Sequence, residues 1–195
     1  MKLYGIKFSS IELQHLARAW LAISLAFAIL FGGFSFSAGF LNTVLISGVT
    51  VGLGFLLHEL AHKVVAQRYG CLAEFRAFDQ MLILAIVMSF FGFIFAAPGA
   101  VMISGYVSRA KNGIISAAGP LMNVVLVLVF ILLLLSLPSY RQIFGFGATI
   151  NSWLAVFNML PFWHFDGAKV LAWNKLAYGA LLAAGIMVML LSYVV

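Results

Sequence analysis

Two histidines four residues apart with a glutamate between them, His58-Glu59-Leu60-Ala61-His62, are the side chains best suited to chemistry. On an α-helix, positions i and i+4 project from nearly the same face, so both imidazoles can hold one metal ion. Glu59 stands beside them, where its carboxylate can take a proton from a water at that metal. The chemistry implied is metal-assisted hydrolysis. The setting sharpens this reading, because the run from Val44 to Leu57 is wholly uncharged. An ionised group at the centre of a bilayer costs about 2.5–3.5 kcal/mol on insertion scales, so it is rarely kept without use. The competing reading is a pair of histidines satisfied by neighbouring helices, and the cost of Glu59 weighs against it.

A catalytic zinc takes three protein ligands and keeps one position open. His58 and His62 supply two, so the third comes from elsewhere. The acids are Glu12, Glu59, Glu74, Asp79 and Asp166. Glu12, Glu74 and Asp79 lie in polar company at the edges of apolar runs, and His15 lies in the polar lead. Asp166 ends an otherwise apolar stretch that starts at Asn158 and also contains His164. Asp166 and His164 are therefore the candidates.

The elements that must position these groups are membrane helices. Of 195 residues, 65% are hydrophobic and 8% charged, with a mean hydropathy of +1.14. A water-soluble surface needs about a quarter charged residues, so that class is excluded. Uncharged runs of helix-spanning length recur, whereas a barrel would show short alternating segments. Apolar runs fall at about 15–32, 43–66, 81–98, 113–136, 145–162 and 170–193. Ser10 is expected to cap the first, which reads as a retained helix rather than a signal peptide. Trp20, Trp153, Trp163 and Trp173 sit at or near run ends and suit interfacial anchoring, though Trp153 suits ordinary packing equally. Cys71, the single cysteine, excludes an internal disulfide. The expectation is one membrane-embedded domain over residues 1–195, with no appended soluble domain. The net charge of +6 comes from bases placed singly at run ends, which is a topology signal and not a nucleic-acid patch.

That signal bears on the run at 81–98. If all six runs span, Arg109, Lys111, Lys169 and Lys175 lie opposite the other Lys and Arg residues. If 81–108 instead enters the membrane and returns, every base except Arg141 falls on one side, as the positive-inside rule prefers. Ala97-Pro98-Gly99-Ala100 is expected to turn, and Val101 to Val107 to return in extended form. The prediction is an all-α polytopic membrane protein of five to six transmembrane helices, preferably five plus a re-entrant extended element after the pentad helix. The N-terminus and the opening of the site are expected to be cytoplasmic. With five spans, the 145–162 helix delivers Asp166 to the same end as His58 and His62; with six it emerges across a core about 30 Å thick. Charge placement and ligand reach agree.

Two further motifs accompany the pentad. Gly119-Pro120-Leu121-Met122-Asn123 reads Gly-Pro-x-x-Asn, and Asn158, Pro161, Asp166 and Gly167 form an Asn followed eight residues later by Asp-Gly. Together, in this order over residues 58–167, they resemble the site-2 protease family of intramembrane zinc metalloproteases. The resemblance implies one Zn2+ per chain on His58, His62 and Asp166, with Glu59 as general base and then general acid. It also implies a membrane-dipping strand region after the pentad helix. Transmembrane protein substrates and the lipid bilayer are the partners so implied, in a multi-pass protein of the cell membrane. Asn123 and Asn158 are candidates to bind substrate or its developing oxyanion, with helix-to-helix hydrogen bonding as their plainer alternative. The chain departs from the family at Trp163-His164-Phe165, where a second proline or small residues are common. His164 is a candidate to hold Asp166 from behind, an alternative ligand, or an interfacial histidine. Rival readings are a metal transporter and a non-catalytic relative that binds metal or clients.

Overall fold

The computed structural model describes residues 2–3, 5–94 and 98–194. Among the described residues, four helical segments are long and apolar enough to cross a membrane, Ser10–Gly32, Ala38–Arg68, Arg109–Ser136 and Lys175–Val194, and the protein is a helical membrane protein. The chain divides into two compact units, one of Met1–Leu56 with Ala73–Met102 and one of Leu57–Leu72 with Ile103–Val195.

In the first unit, a short hairpin of β1 (Lys2–Leu3) and β2 (Ile6–Lys7) precedes α1 (Ser10–Gly32). The cap of α1 is Ser9, not Ser10: its side chain accepts the Glu12 N–H at 3.1 Å. After α2 (Ala38–Ser47), the helix passes through five residues of π geometry, Gly48–Gly52, before α3 (Leu53–Arg68) begins. The wide turn packs on α1. The Trp20 indole donates to the Gly48 carbonyl at 3.0 Å, and a Cβ at Gly52 would lie 2.7 Å from the Ser24 hydroxyl. Glycine is what allows this approach.

The stretch after α3 is where hydropathy misleads. β3 (Leu72–Ala77) leads into α4 (Asp79–Ser89), an 11-residue helix, and β4 (Gly99–Ser104) follows. At about 1.5 Å per residue α4 is about 16 Å long, half the thickness of a hydrocarbon core. The run at 81–98 is therefore not a spanning helix. Gly92, at φ 86°, takes up a left-handed conformation just past its end. β3 and β4 are hydrogen-bonded neighbours, and the Phe78 N–H donates to the Pro98 carbonyl at 3.1 Å. The described ends of this segment therefore meet in one sheet. Of the turn expected at 97–100, Ala97 lies outside the described residues, while Gly99 already belongs to β4.

The other edge of β3 is held by side chains of α1. Glu12 Oε1 accepts the Phe75 N–H at 2.8 Å, and His15 Nδ1 accepts the Ala77 N–H at 2.9 Å. Alternate N–H groups of a strand face one edge, and residues three apart share a helix face, so the two spacings match. Glu12 and His15 thus belong to structure rather than to a solvated lead, and Glu12 is fully buried.

The second unit holds the remainder of α3 with α5 (Arg109–Ser136), α6 (Arg141–Asn158), α7 (Asp166–Trp173) and α8 (Lys175–Val194). Ser108 caps α5 by accepting the Lys111 N–H. The run expected at 170–193 is two helices, because Asn174 interrupts it and its side-chain oxygen accepts the N–H groups of Leu176 and Ala177. The core is built by Val124, Val127, Phe130 and Ile131 of α5, Ala148 and Ala155 of α6, and Val188 of α8. Trp153 donates to the Tyr193 hydroxyl at 2.8 Å, Trp173 packs on Gly113, and Trp163 is exposed.

Candidate metal centre

The second unit contains the whole of the candidate site. His58 and His62 lie one turn apart on α3, with ring centroids 4.7 Å apart. Asp166 opens α7. The seven-residue connection 159–165, which contains Pro161, lets the chain turn after α6 ends at Asn158. Gly167 is packed so closely that a Cβ would lie 2.7 Å from the Met159 Cα and collide with its carbonyl. The Gly of Asp-Gly is therefore what seats the start of α7, and with it Asp166, against the end of α6.

The three ligating atoms converge. His58 Nε2 and His62 Nε2 are 3.0 Å apart, and Asp166 Oδ2 lies 3.3 and 3.1 Å from them respectively. Bonds of about 2.0–2.1 Å at tetrahedral angles place ligand atoms about 3.3 Å apart, so the triangle is the right size for zinc. Its electronics agree. The Nδ1–H of His62 donates to the Ile115 carbonyl at 2.7 Å, and the Nδ1–H of His58 donates to Asn123 Oδ1 at 2.6 Å. With each proton on Nδ1, the two Nε2 lone pairs and a carboxylate face one another, and such a trio calls for a cation among them. All three residues are buried.

Helix α5 supplies the other wall. Ile115, Gly119 and Asn123 recur every four residues and so form one stripe along that helix. A Cβ at Gly119 would sit 2.5 Å from His58 Nε2 and touch His62 Nε2 as well, so only glycine leaves room. Pro120 lies inside the same helix and has no N–H to donate to the carbonyl four residues back. Asn123 Nδ2 donates to Asn151 Oδ1 of α6 at 3.1 Å, and Asn151 Nδ2 donates to the Gly147 carbonyl at 2.9 Å.

Burial works against the charge of Asp166, but the positive charge that His62 and His58 carry when protonated outweighs it and holds the carboxyl well below the usual carboxylate range. Its second oxygen lies 3.8 Å from Lys169 Nζ, three residues along α7 and 40% exposed. Glu59 is buried beside the cluster, close enough for its charge to interact with those of His58, His62, Asp166 and Lys169.

Three of the expected site residues therefore meet, with Glu59 next to them. Asn123 meets them too, through His58, although no sequence signal said which ligand it would hold. Asn158 instead donates to the Leu154 carbonyl of its own helix at 2.9 Å. His164 is exposed with its ring 6.1 Å from that of Trp163, and it stands outside the ligand cluster among the described residues. Asn151, the Ile115 carbonyl, Gly119 and Lys169 were not singled out for these contacts. An amide inside the apolar 145–162 run and a base three residues after Asp166 were the available signals.

No family model matches the sequence, and no solved structure matches it. Over 175 residues it is 45% identical to a protein of Methanocaldococcus jannaschii named "Putative zinc metalloprotease", covering 86% of this chain and 87% of that one. That identity over nearly the full length of both, together with a three-ligand centre shaped for zinc, places the chain plainly: it belongs to the zinc metalloprotease family of that archaeal relative.

Proposed function

We propose that the chain is an intramembrane zinc metalloprotease of the site-2 protease type, cutting peptide bonds within or near transmembrane segments of other membrane proteins. One observation carries this. The convergent triad of His58, His62 and Asp166 is built on a helix, Ala38–Arg68, that is itself long and apolar enough to span a membrane. A hydrolytic centre on such a helix is matched to substrates that reach it through lipid.

His58 Nε2, His62 Nε2 and Asp166 Oδ2 would hold one Zn2+. A zinc ion there brings the pKa of water toward about 7 and polarises a carbonyl as a Lewis acid. The chain's own residues do the rest. Glu59 takes a proton on a carboxylate oxygen from the attacking water and returns it to the departing amine nitrogen. It is suited to both steps because no side chain is hydrogen-bonded to it among the described residues. Asn123 and the Ile115 carbonyl hold the imidazoles in the tautomer that leaves Nε2 bare. Lys169 lies against Asp166 Oδ1 and leaves Oδ2 for the metal. Asn158 remains the amide proposed to meet substrate, through whichever N–H it does not give to Leu154.

A transmembrane helix hides its peptide bonds in its own hydrogen bonds and must unwind before attack. The proposed receiver is an added strand along β4. β3 has one edge on β4 and the other on Glu12 and His15, which leaves β4 as the strand to extend. In the membrane we propose five crossings, the four long helices and α6, with residues 78–98 dipping in and returning. The N-terminus and the mouth of the site then face the cytoplasm.

Cleavage of single-span proteins in zinc-loaded proteoliposomes, mapped by mass spectrometry, tests this reading. Cuts inside apolar stretches, abolished in Glu59→Gln with zinc retained, are expected. Cuts confined to soluble peptides, or unchanged in Glu59→Gln, would overturn it.

A further inference from the structure

The imidazole of His58 has two neutral tautomers, and only the one protonated on Nδ1 presents Nε2 to a metal. Its partner Asn123 is also two-faced, because an amide can point either its oxygen or its nitrogen at a neighbour. With Oδ1 toward His58, Asn123 accepts the Nδ1 proton and Nε2 stays bare. With Nδ2 toward His58, it donates to Nδ1 and forces the proton onto Nε2, where it blocks the metal. The contact at 2.6 Å is possible either way round, so the direction must be fixed beyond Asn123.

Asn151 is the next group along. It is fully buried in α6, as Asn123 is in α5, and stands outside all three sequence motifs. Its Nδ2 donates to the Gly147 carbonyl four residues back at 2.9 Å. A carbonyl oxygen can only accept, so the Asn151 amide has one favourable orientation, with Oδ1 facing Asn123. That oxygen accepts Asn123 Nδ2 at 3.1 Å and so turns Asn123 Oδ1 toward His58. Reversing any link would set two donors or two acceptors face to face out of reach of water.

We propose that Asn151 is a positioning residue of the metal centre: anchored on the Gly147 carbonyl, it fixes through Asn123 the tautomer of His58 that binds metal. It touches neither metal nor substrate. The proposal rests on the metal centre described above, and it assigns to α6 a part in metal binding that none of its ligands reveals.

The experiment compares wild type, Asn151→Leu and Asn151→Asp. Leucine removes the relay at similar size. Aspartate keeps an oxygen toward Asn123 in either protonation state, and so keeps the direction. Zinc affinity is read by competition with a chromophoric chelator, and the His58 tautomer by nitrogen NMR of histidine-labelled, metal-free protein at alkaline pH. The leucine variant should bind zinc about 10- to 100-fold more weakly, the range for groups that orient a ligand. Its His58 signal should change from Nδ1–H to a mixture, with the aspartate variant close to wild type in both. Equal affinity in the leucine variant, or equal loss in both variants, would overturn the proposal. If the leucine variant does not fold, the wild-type spectrum decides, since a His58 protonated on Nε2 contradicts the relay outright. Absence of zinc from the wild type would remove the metal centre itself, an outcome distinct from failure of the relay alone.

Discussion

Gly119→Ala puts one methyl group onto the two nitrogens meant for the metal. The added Cβ would stand 2.5 Å from His58 Nε2 and 2.6 Å from its Cε1, and it would touch His62 Nε2 as well. Ordinary contact begins about 0.9 Å further out, while ligand distances tolerate about 0.2 Å. The rings cannot simply swing aside, because each Nδ1 is tied, to Asn123 at 2.6 Å and to the Ile115 carbonyl at 2.7 Å. What gives is the packing of α5 against α3, and forcing a methyl into such a contact costs about 1–3 kcal/mol. Charged against metal binding, that is about a 5- to 150-fold loss of zinc affinity. Chelator competition on the detergent-purified protein measures it. Gly179→Ala is the control, because nothing lies within 4 Å of its Cβ. Wild-type zinc affinity in Gly119→Ala, or an equal loss in Gly179→Ala, would refute the crowding argument.

Acidification should release zinc by protonating the imidazole ligands first, because Asp166, held below the usual carboxylate range, stays ionised; zinc lost while nitrogen NMR shows both imidazoles still unprotonated would contradict this. Glu12→Leu removes the acceptor of the Phe75 N–H and should cost about 1–3 kcal/mol of stability, while Glu12→Gln keeps an oxygen there and costs less. Thermal unfolding in detergent separates them, and equal midpoints would remove the strand-edge role of Glu12. A cysteine at exposed Tyr140 should react with an impermeant thiol reagent in intact cells, and one at exposed Tyr106 only after permeabilisation. The reverse pattern would invert the proposed topology.

The pentad was legible because helical geometry alone makes i and i+4 neighbours, and Asp166 because it is the acid that ends an otherwise apolar stretch. What the sequence withheld depends on partners far away along it. Leu72–Ala77 carries Glu74 and Arg76 and looks like a polar loop, yet it is a strand because Glu12 and His15, about sixty residues earlier, satisfy its outer N–H groups. The run at 81–98 stays apolar past Ser89 although the helix does not, since hydropathy is blind to the φ of Gly92. Asn151 reads as one more small amide in a packed helix until its neighbours are known. His164 shows the converse: two residues from a ligand in sequence, it faces Trp163 and solvent. Asn158 lies in a motif as Asn123 does, yet it bonds to its own helix while Asn123 reaches His58, a difference that only packing decides.

Zinc content of the detergent-purified protein, wild type beside Asp166→Ala, bears most directly on the metal centre. One zinc per chain in the wild type, largely lost in the variant, is the predicted result. A wild type that binds no zinc, or a variant that keeps it, would contradict the three-ligand site and the hydrolytic chemistry built on it.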